Sequence, residues 1–394
     1  MMRAGLAPPR LPPGPAPAPL LDRAGACVVL GDQLDGDGLP KPLAPDRTSL
    51  FAPRGVAFAG REKPFFVADT GHHRLLVWRR PPEQNNAPAD IVIGQPGFGA
   101  EGRNARGPAG AATLDMPTGV ATDGKVLAVA DAWNHRVLVW RSLPSVNNQP
   151  ADIVLGQADF CGALANRGLD VAASDTLNWC YGVTIADGRL FVADTGNRRV
   201  LIWNRLPQEN GRAADMVLGQ SSMTCRDDNA GEGASDVGMR WPHAVAVAGG
   251  RIFVADAGNN RIMVWRHFPN ADGAPASYVI GQESFATIDH NRGALHPNAR
   301  ALQMPYGVSA HDDMLVCADT ANSRLVGFPL DGLAMNAAAT ALAGQRRFED
   351  KGDNRWRAAA RDSLCWPFAV AACEGLVAVA DTGNNRVLLW ETAR

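Results

Sequence analysis

The stretch RLFVADTGNRRVLIW, Arg189 to Trp203, holds two short apolar runs around a polar turn. β-Branched and aromatic residues fill both runs, and Thr-Gly-Asn between them is turn chemistry. The stretch therefore reads as two strands of a hairpin, each buried on both faces. The pattern recurs. Its Asp stands at Asp69, Asp131, Asp194, Asp256, Asp319 and Asp381, at steps of 62, 63, 62, 63 and 62 residues. Five residues after each Asp comes Arg74, Arg136, Arg199, Arg261, Arg324 or Arg386. Nine after it come Trp78, Trp140, Trp203, Trp265, then Phe328 as the exception, then Trp390. Copies at a fixed long period mark a repeat architecture.

Working outward from Arg189, a run from Gly182 to Ala186 precedes the hairpin and a run from Asp215 to Gly219 follows it. The following run ends in a Gly-Gln pair that also repeats, at Gln95, Gln157, Gln220, Gln282 and Gln345. Four short strands per unit, repeated radially, predict the blades of a β-propeller. A solenoid would need capping repeats, and none is apparent. The last unit stops at Trp390 without its fourth strand, while Cys27-Val28-Val29-Leu30-Gly31 matches that strand at the other end of the chain. The reading is an all-β, six-bladed β-propeller with four-stranded blades over residues 26–394. Its ring is closed by an N-terminal outer strand in the last blade, which removes an open edge. Residues 1–25, rich in Pro and Ala, read as a flexible tail.

These residues resemble the NHL-repeat family of six-bladed propellers, over roughly residues 26–391. The resemblance implies that fold. It also implies one of several roles: RNA- or protein-binding modules, a zinc-dependent amidating lyase, or uncharacterised bacterial propellers, which this chain resembles most. The connectors carrying Gly-Gln are longer than the family's short unit. The lyase would need several His facing the channel from different blades, and the eight His of this chain do not stand at such positions.

Composition narrows the partners. Lys+Arg is 38 against 40 Asp+Glu, a formal charge of −2, without the basic excess that phosphate binding favours. The five long connectors (96–115, 158–177, 221–240, 283–302, 346–365) hold twelve Arg and one Lys against fifteen acids, again −2. The last is locally richer in Arg. No apolar run is long enough to cross a bilayer. Prolines break any N-terminal signal core, and seven Cys without a CxxC fit reduced thiols, so the cytoplasm is the expected compartment. Asp32, Asp35 and Asp37 lack the full ligand spacing of a calcium loop and read as a turn.

Residues present in every copy should hold the blades together. The Asp–Arg pair and the Trp set are therefore read as structural, as is the Asn nine residues after each Gln (Asn104, Asn166, Asn229, Asn291, Asn354). Residues that vary at the channel mouth are the site candidates. The position before each innermost strand is Arg54, Thr118, Tyr181, His243, Tyr306 and Phe368, flanked by Trp179, Trp241 and Trp366. A polar handle among aromatic walls suits a pocket, and the same side chains could equally plug the channel. If the mouth is catalytic, His243 is the acid/base, Tyr181 or Tyr306 the proton donor and Arg54 the anion holder of a lyase or hydrolase. His243 with Cys180 or Cys365 is the weak metal option, and no cofactor is expected. The preferred reading is a non-enzymatic scaffold, a monomer whose loop face binds a protein or peptide. A small-molecule enzyme comes second and an RNA-binding module third.

Overall fold

Each Asp–Arg unit forms two antiparallel strands joined by a single 3-10 turn. In the third unit these are Arg189–Asp194 and Arg199–Trp203, with Thr195–Asn197 between them. Cys180–Ala186 pairs on one side and Met216–Leu218 on the other, giving an antiparallel four-stranded blade. The computed structural model describes residues 16–31 and 43–393. It contains six such sheets around a central channel. Asp32, Asp35 and Asp37 lie outside the described residues.

The core lies between blades. Val139, Ile153 and Leu155 of the second blade pack on Leu190, Val192 and Trp203 of the third, and five equivalent clusters complete the circuit. Most Trp indoles of the repeat are tied down by a carbonyl nine residues on. Nε1 of Trp203 donates to Arg212 O at 3.0 Å, and Trp78, Trp140 and Trp265 do likewise.

The Asp–Arg pair is the hub of each blade. Asp194 Oδ1 accepts from the Asn178 N–H at 2.7 Å, and its Oδ2 accepts from Asn197 Nδ2 and Arg199 Nε. Arg199 also donates to the carbonyls of Ala173, Thr176 and Met223 in the flanking connectors. The repeated Asn has a matching role. Asn166 of the connector exchanges amide hydrogen bonds with Asn197 of the next blade's turn. The connectors are thus ordered by pairing rather than left free. His72 takes the place of that turn Asn in the first blade, bonding Asp69 at 2.8 Å.

In the last blade, Val28–Leu30 pairs antiparallel with the third strand, Val28 opposite Leu389 and Leu30 opposite Val387. The Thr382 hydroxyl donates to Pro53 O at 2.5 Å, tying the last blade to the first.

The N-terminal residues depart from the expected tail. Ala18–Pro19 adds a parallel strand to the outer edge of the fifth blade, beside Ala341–Leu342. Leu20 and Leu21 are 8% and 4% exposed. Trp390 Nε1 donates to Asp22 O at 2.8 Å, so residue 22 supplies the carbonyl that a strand-to-strand link supplies in the other blades. The fifth blade makes room for this: Leu20 Cδ1 would lie 2.7 Å from a Cβ at Gly327. Residues 18–22 are therefore held against the fifth and sixth blades and are not part of a free tail. No helix among the described residues is long and apolar enough to cross a membrane.

Candidate binding site at the channel mouth

The mouth residues owe their direction to a repeated irregularity. Cys180 pairs with Asp194 but Gly182 pairs with Ala193, which leaves Tyr181 as an extra, unpaired residue. The same shift isolates His243, Tyr306 and Phe368. A bulge of this kind bends the strand and re-aims one side chain, here into the neck of the channel. The innermost strands crowd together at this level. A Cβ on Gly182 would stand 2.3 Å from His243 O, so only Gly fits there.

The re-aimed side chains form an arc. Tyr181 and His243 have ring centroids 4.9 Å apart, His243 and Tyr306 stack at 4.1 Å and 13°, and Tyr306 and Phe368 lie 4.5 Å apart. The Arg54 guanidinium covers the far face of Phe368 at 4.7 Å. Five of the six predicted neck residues are thus brought together. Thr118 is not part of the arc. It is buried and spends its hydroxyl on Tyr181 O at 2.8 Å.

The stacking limits acid/base chemistry. His243 Nδ1 is 2.8 Å from Trp241 O, so that nitrogen carries the proton and Nε2 keeps the lone pair. Burial pushes the imidazole pKa down to about 4. The Arg54 charge acts in the same direction, and the bond to the Trp241 carbonyl acts against both. Burial also raises the Tyr306 phenol, so it stays protonated. Among the described residues no hydrogen bond joins the side chains of Tyr181, His243 and Tyr306. These rings are arranged as a wall, not as a proton relay.

The depressed imidazole has a consequence for stability. Between pH 6.5 and about 4 the unfolded chain protonates this His while the folded one does not, so the unfolded state binds more protons and stability falls as pH drops. A His243→Phe variant is expected to lose less stability over that window than the parent in parallel urea titrations. Identical pH slopes would show that the imidazole is not held neutral.

The metal option does not assemble. The Cys180 thiol is fully buried, faces Arg136 O at 3.2 Å and is raised well above the usual thiol range by burial. Burial, with Asp353 and Asp381 adding to it, pushes Cys365 up to about 12. Neither thiol meets His243, and among the described residues no three His, Cys, Asp or Glu side chains cluster as a metal site.

Outside the arc lies a second ring that the sequence reading did not anticipate as a set. The residue two places before each of the six neck positions is Ala52, Met116, Trp179, Trp241, Met304 or Trp366, and every one has left-handed backbone, φ 46° to 55°. Bulky residues rarely adopt this conformation, and strain of this sort gathers at functional sites. In five blades the amide of this residue is pinned by a side chain of the preceding blade. Trp179 N–H donates to His135 Nδ1 at 2.9 Å; Asn260, Ser323, Asn385 and His73 serve the others. The sixth position is Arg198, which has no acceptor. Its guanidinium goes to Asp228 at 2.7 Å and Gly196 O at 2.6 Å. Aligning the repeats four residues after each Asp would have exposed this exception.

A cavity of about 580 Å³ opens at this exceptional junction, between the third and fourth blades. Trp179 and Trp241 wall it, 49% and 42% exposed, and Tyr181, His243 and Tyr306 form its inner side. The arc also roofs the channel, a second cavity of about 340 Å³ lined by the innermost strands. Trp366 is exposed on the same face but does not line the larger cavity.

The NHL repeat family matches the chain over residues 239–265, which span the fourth blade's first three strands. No curated protein is similar to the chain in sequence. Among solved structures, the WD40 β-propeller domain of Doa1 is 9% identical at TM-score 0.49, covering 94% of this chain and 97% of that one. Kuenenia stuttgartiensis hydrazine synthase is 11% identical at TM-score 0.47, over 88% and 97%. A Bacteroides thetaiotaomicron protein of unknown function is 13% identical at TM-score 0.49, over 88% and 70%. Likenesses at this level say nothing of what the chain binds.

Proposed function

The chain belongs to the NHL-repeat propellers, and on that premise we propose that its mouth face is a binding platform for a polypeptide partner. One observation carries the reading. Trp179 and Trp241 are held outward in strained backbone, about half exposed, as the walls of a cavity at the one junction where the blade-to-blade latch is broken. Trp is the residue type most often found at binding hot spots, and a rigid aromatic pair supplies contact area at little cost in side-chain entropy. The surrounding connectors carry mixed charge, which suits a protein surface better than a phosphate backbone.

The test is capture from the source cells by the full chain, with and without nuclease, beside a Trp179→Ala/Trp241→Ala variant. The expected result is a protein retained regardless of nuclease and lost from the double variant. Capture that the double variant retains would place binding elsewhere, and capture abolished by nuclease would make the partner a nucleic acid.

A further inference from the structure

Arg54 is the odd member of the neck. Its Nε is buried, and among the described residues nothing accepts a hydrogen bond from it. Its guanidinium lies over the face of Phe368. No carboxylate lines the channel or the cavity at the blade-three junction. Two further guanidiniums at this mouth, those of Arg198 and of Arg240 over Trp241, share Asp228 as their counter-ion. Arg54 has none. A partly buried cation with an open donor edge is costly unless an anion completes it. That open edge is the outer one, formed by the two Nη groups, since the buried Nε is closed to an incoming ligand; a planar carboxylate fits it with two parallel hydrogen bonds.

We propose that the neck receives the C-terminal carboxylate of the partner polypeptide on Arg54, with an apolar last side chain packed against the aromatic arc and Trp241. The inference rests on the polypeptide reading above and narrows it to a chain end. The rings from Tyr181 to Phe368 and the Arg54 guanidinium wall the neck from five blades. A chain end needs room for one strand of polypeptide there, whereas an internal Asp or Glu would bring two. Tyr306, kept protonated by burial, offers a further O–H donor in the same arc. The walls supply apolar contact and no competing negative charge.

The experiment retains a pool of N-acetylated random pentapeptides on the immobilised full chain and reads the retained species by mass spectrometry. One pool carries free carboxylates, the other C-terminal carboxamides. The free-acid pool is expected to be retained on the order of tenfold better, enriched in apolar last residues, as the loss of a charge-assisted hydrogen bond implies. Arg54→Gln removes that preference while Arg54→Lys keeps part of it, and both should retain the parent's melting temperature to within a few degrees. Trp241→Ala lowers retention of both pools. Equal retention of acid and amide pools, sensitive to Trp241→Ala, overturns the carboxylate inference and leaves the polypeptide reading standing. An acid preference that survives in Arg54→Gln also overturns it. If neither pool is retained but 3-phenylpropionate quenches Trp fluorescence in the parent and not in Arg54→Gln, the site takes a free acid and both the inference and the polypeptide reading fall.

Discussion

Asp194→Ala is expected to lower the free energy of unfolding by about 3–5 kcal/mol, because it leaves a buried guanidinium without its carboxylate. Both partners are fully buried, with Arg199 Nε 2.7 Å from Asp194 Oδ2. The substitution also orphans the Asn178 N–H and the Asn197 amide, which the same carboxylate accepts. Arg199 ties two connectors to the blade, so the loss should reach the loop face as well as the core. Paired replacement, Asp194→Leu with Arg199→Met, should cost less than either single change, since no charge is then stranded. Urea unfolding of the three variants measures this. A single Asp194→Ala cost below about 1 kcal/mol would show that the pair is not the hub of its blade.

The second large effect concerns the N-terminus. Deleting residues 1–31 removes the outer strand of the last blade and bares the ladder of Val387 to Leu389. An open apolar edge invites pairing with another chain, so this truncation should melt far lower and aggregate. Deleting only residues 1–22 looked harmless from the sequence, which gave that segment no partner. The structure reverses the expectation. The shorter deletion removes Leu20 and Leu21 from a buried cluster and takes away the carbonyl that holds the Trp390 indole. A cost of about 2–4 kcal/mol is expected after the entropy of ordering the segment is set against burial. Thermal unfolding of both truncations against the full chain decides it. A melting temperature unchanged by the shorter deletion would mean that these contacts contribute nothing.

The architecture was legible because the same physical problem is solved in each blade. A hub carboxylate, a guanidinium reaching two connectors and an indole seeking a carbonyl each require one residue type at one spacing. Their repetition therefore reads directly from Asp69 to Trp390. Cys27 to Gly31 was legible for the same reason, as a displaced copy of a known strand. Ala18 to Leu21 was not, because a two-residue parallel edge strand has no periodicity and Pro argues against it. The neck residues were found by their variation between repeats, yet their chemistry was not. Tyr181, His243 and Tyr306 look like a proton-transfer set in one dimension, and only the bulge geometry turns them into a stack. The strained Trp179 and Trp241 were named, but the backbone that thrusts them outward has no letter of its own. Arg198 could have been seen, since it replaces His, Asn or Ser at one aligned position.

The account stands on a ring whose last blade is completed by the N-terminal strand Val28–Leu30, because the mouth exists only if the six blades are held in register. Amide hydrogen exchange in the native full chain measures this directly. Val28, Val29 and Leu30 should exchange as slowly as the corresponding outer strand Met216–Leu218. Exchange of those three amides at the rate of an unstructured chain, with Val387 to Leu389 also fast, would contradict it.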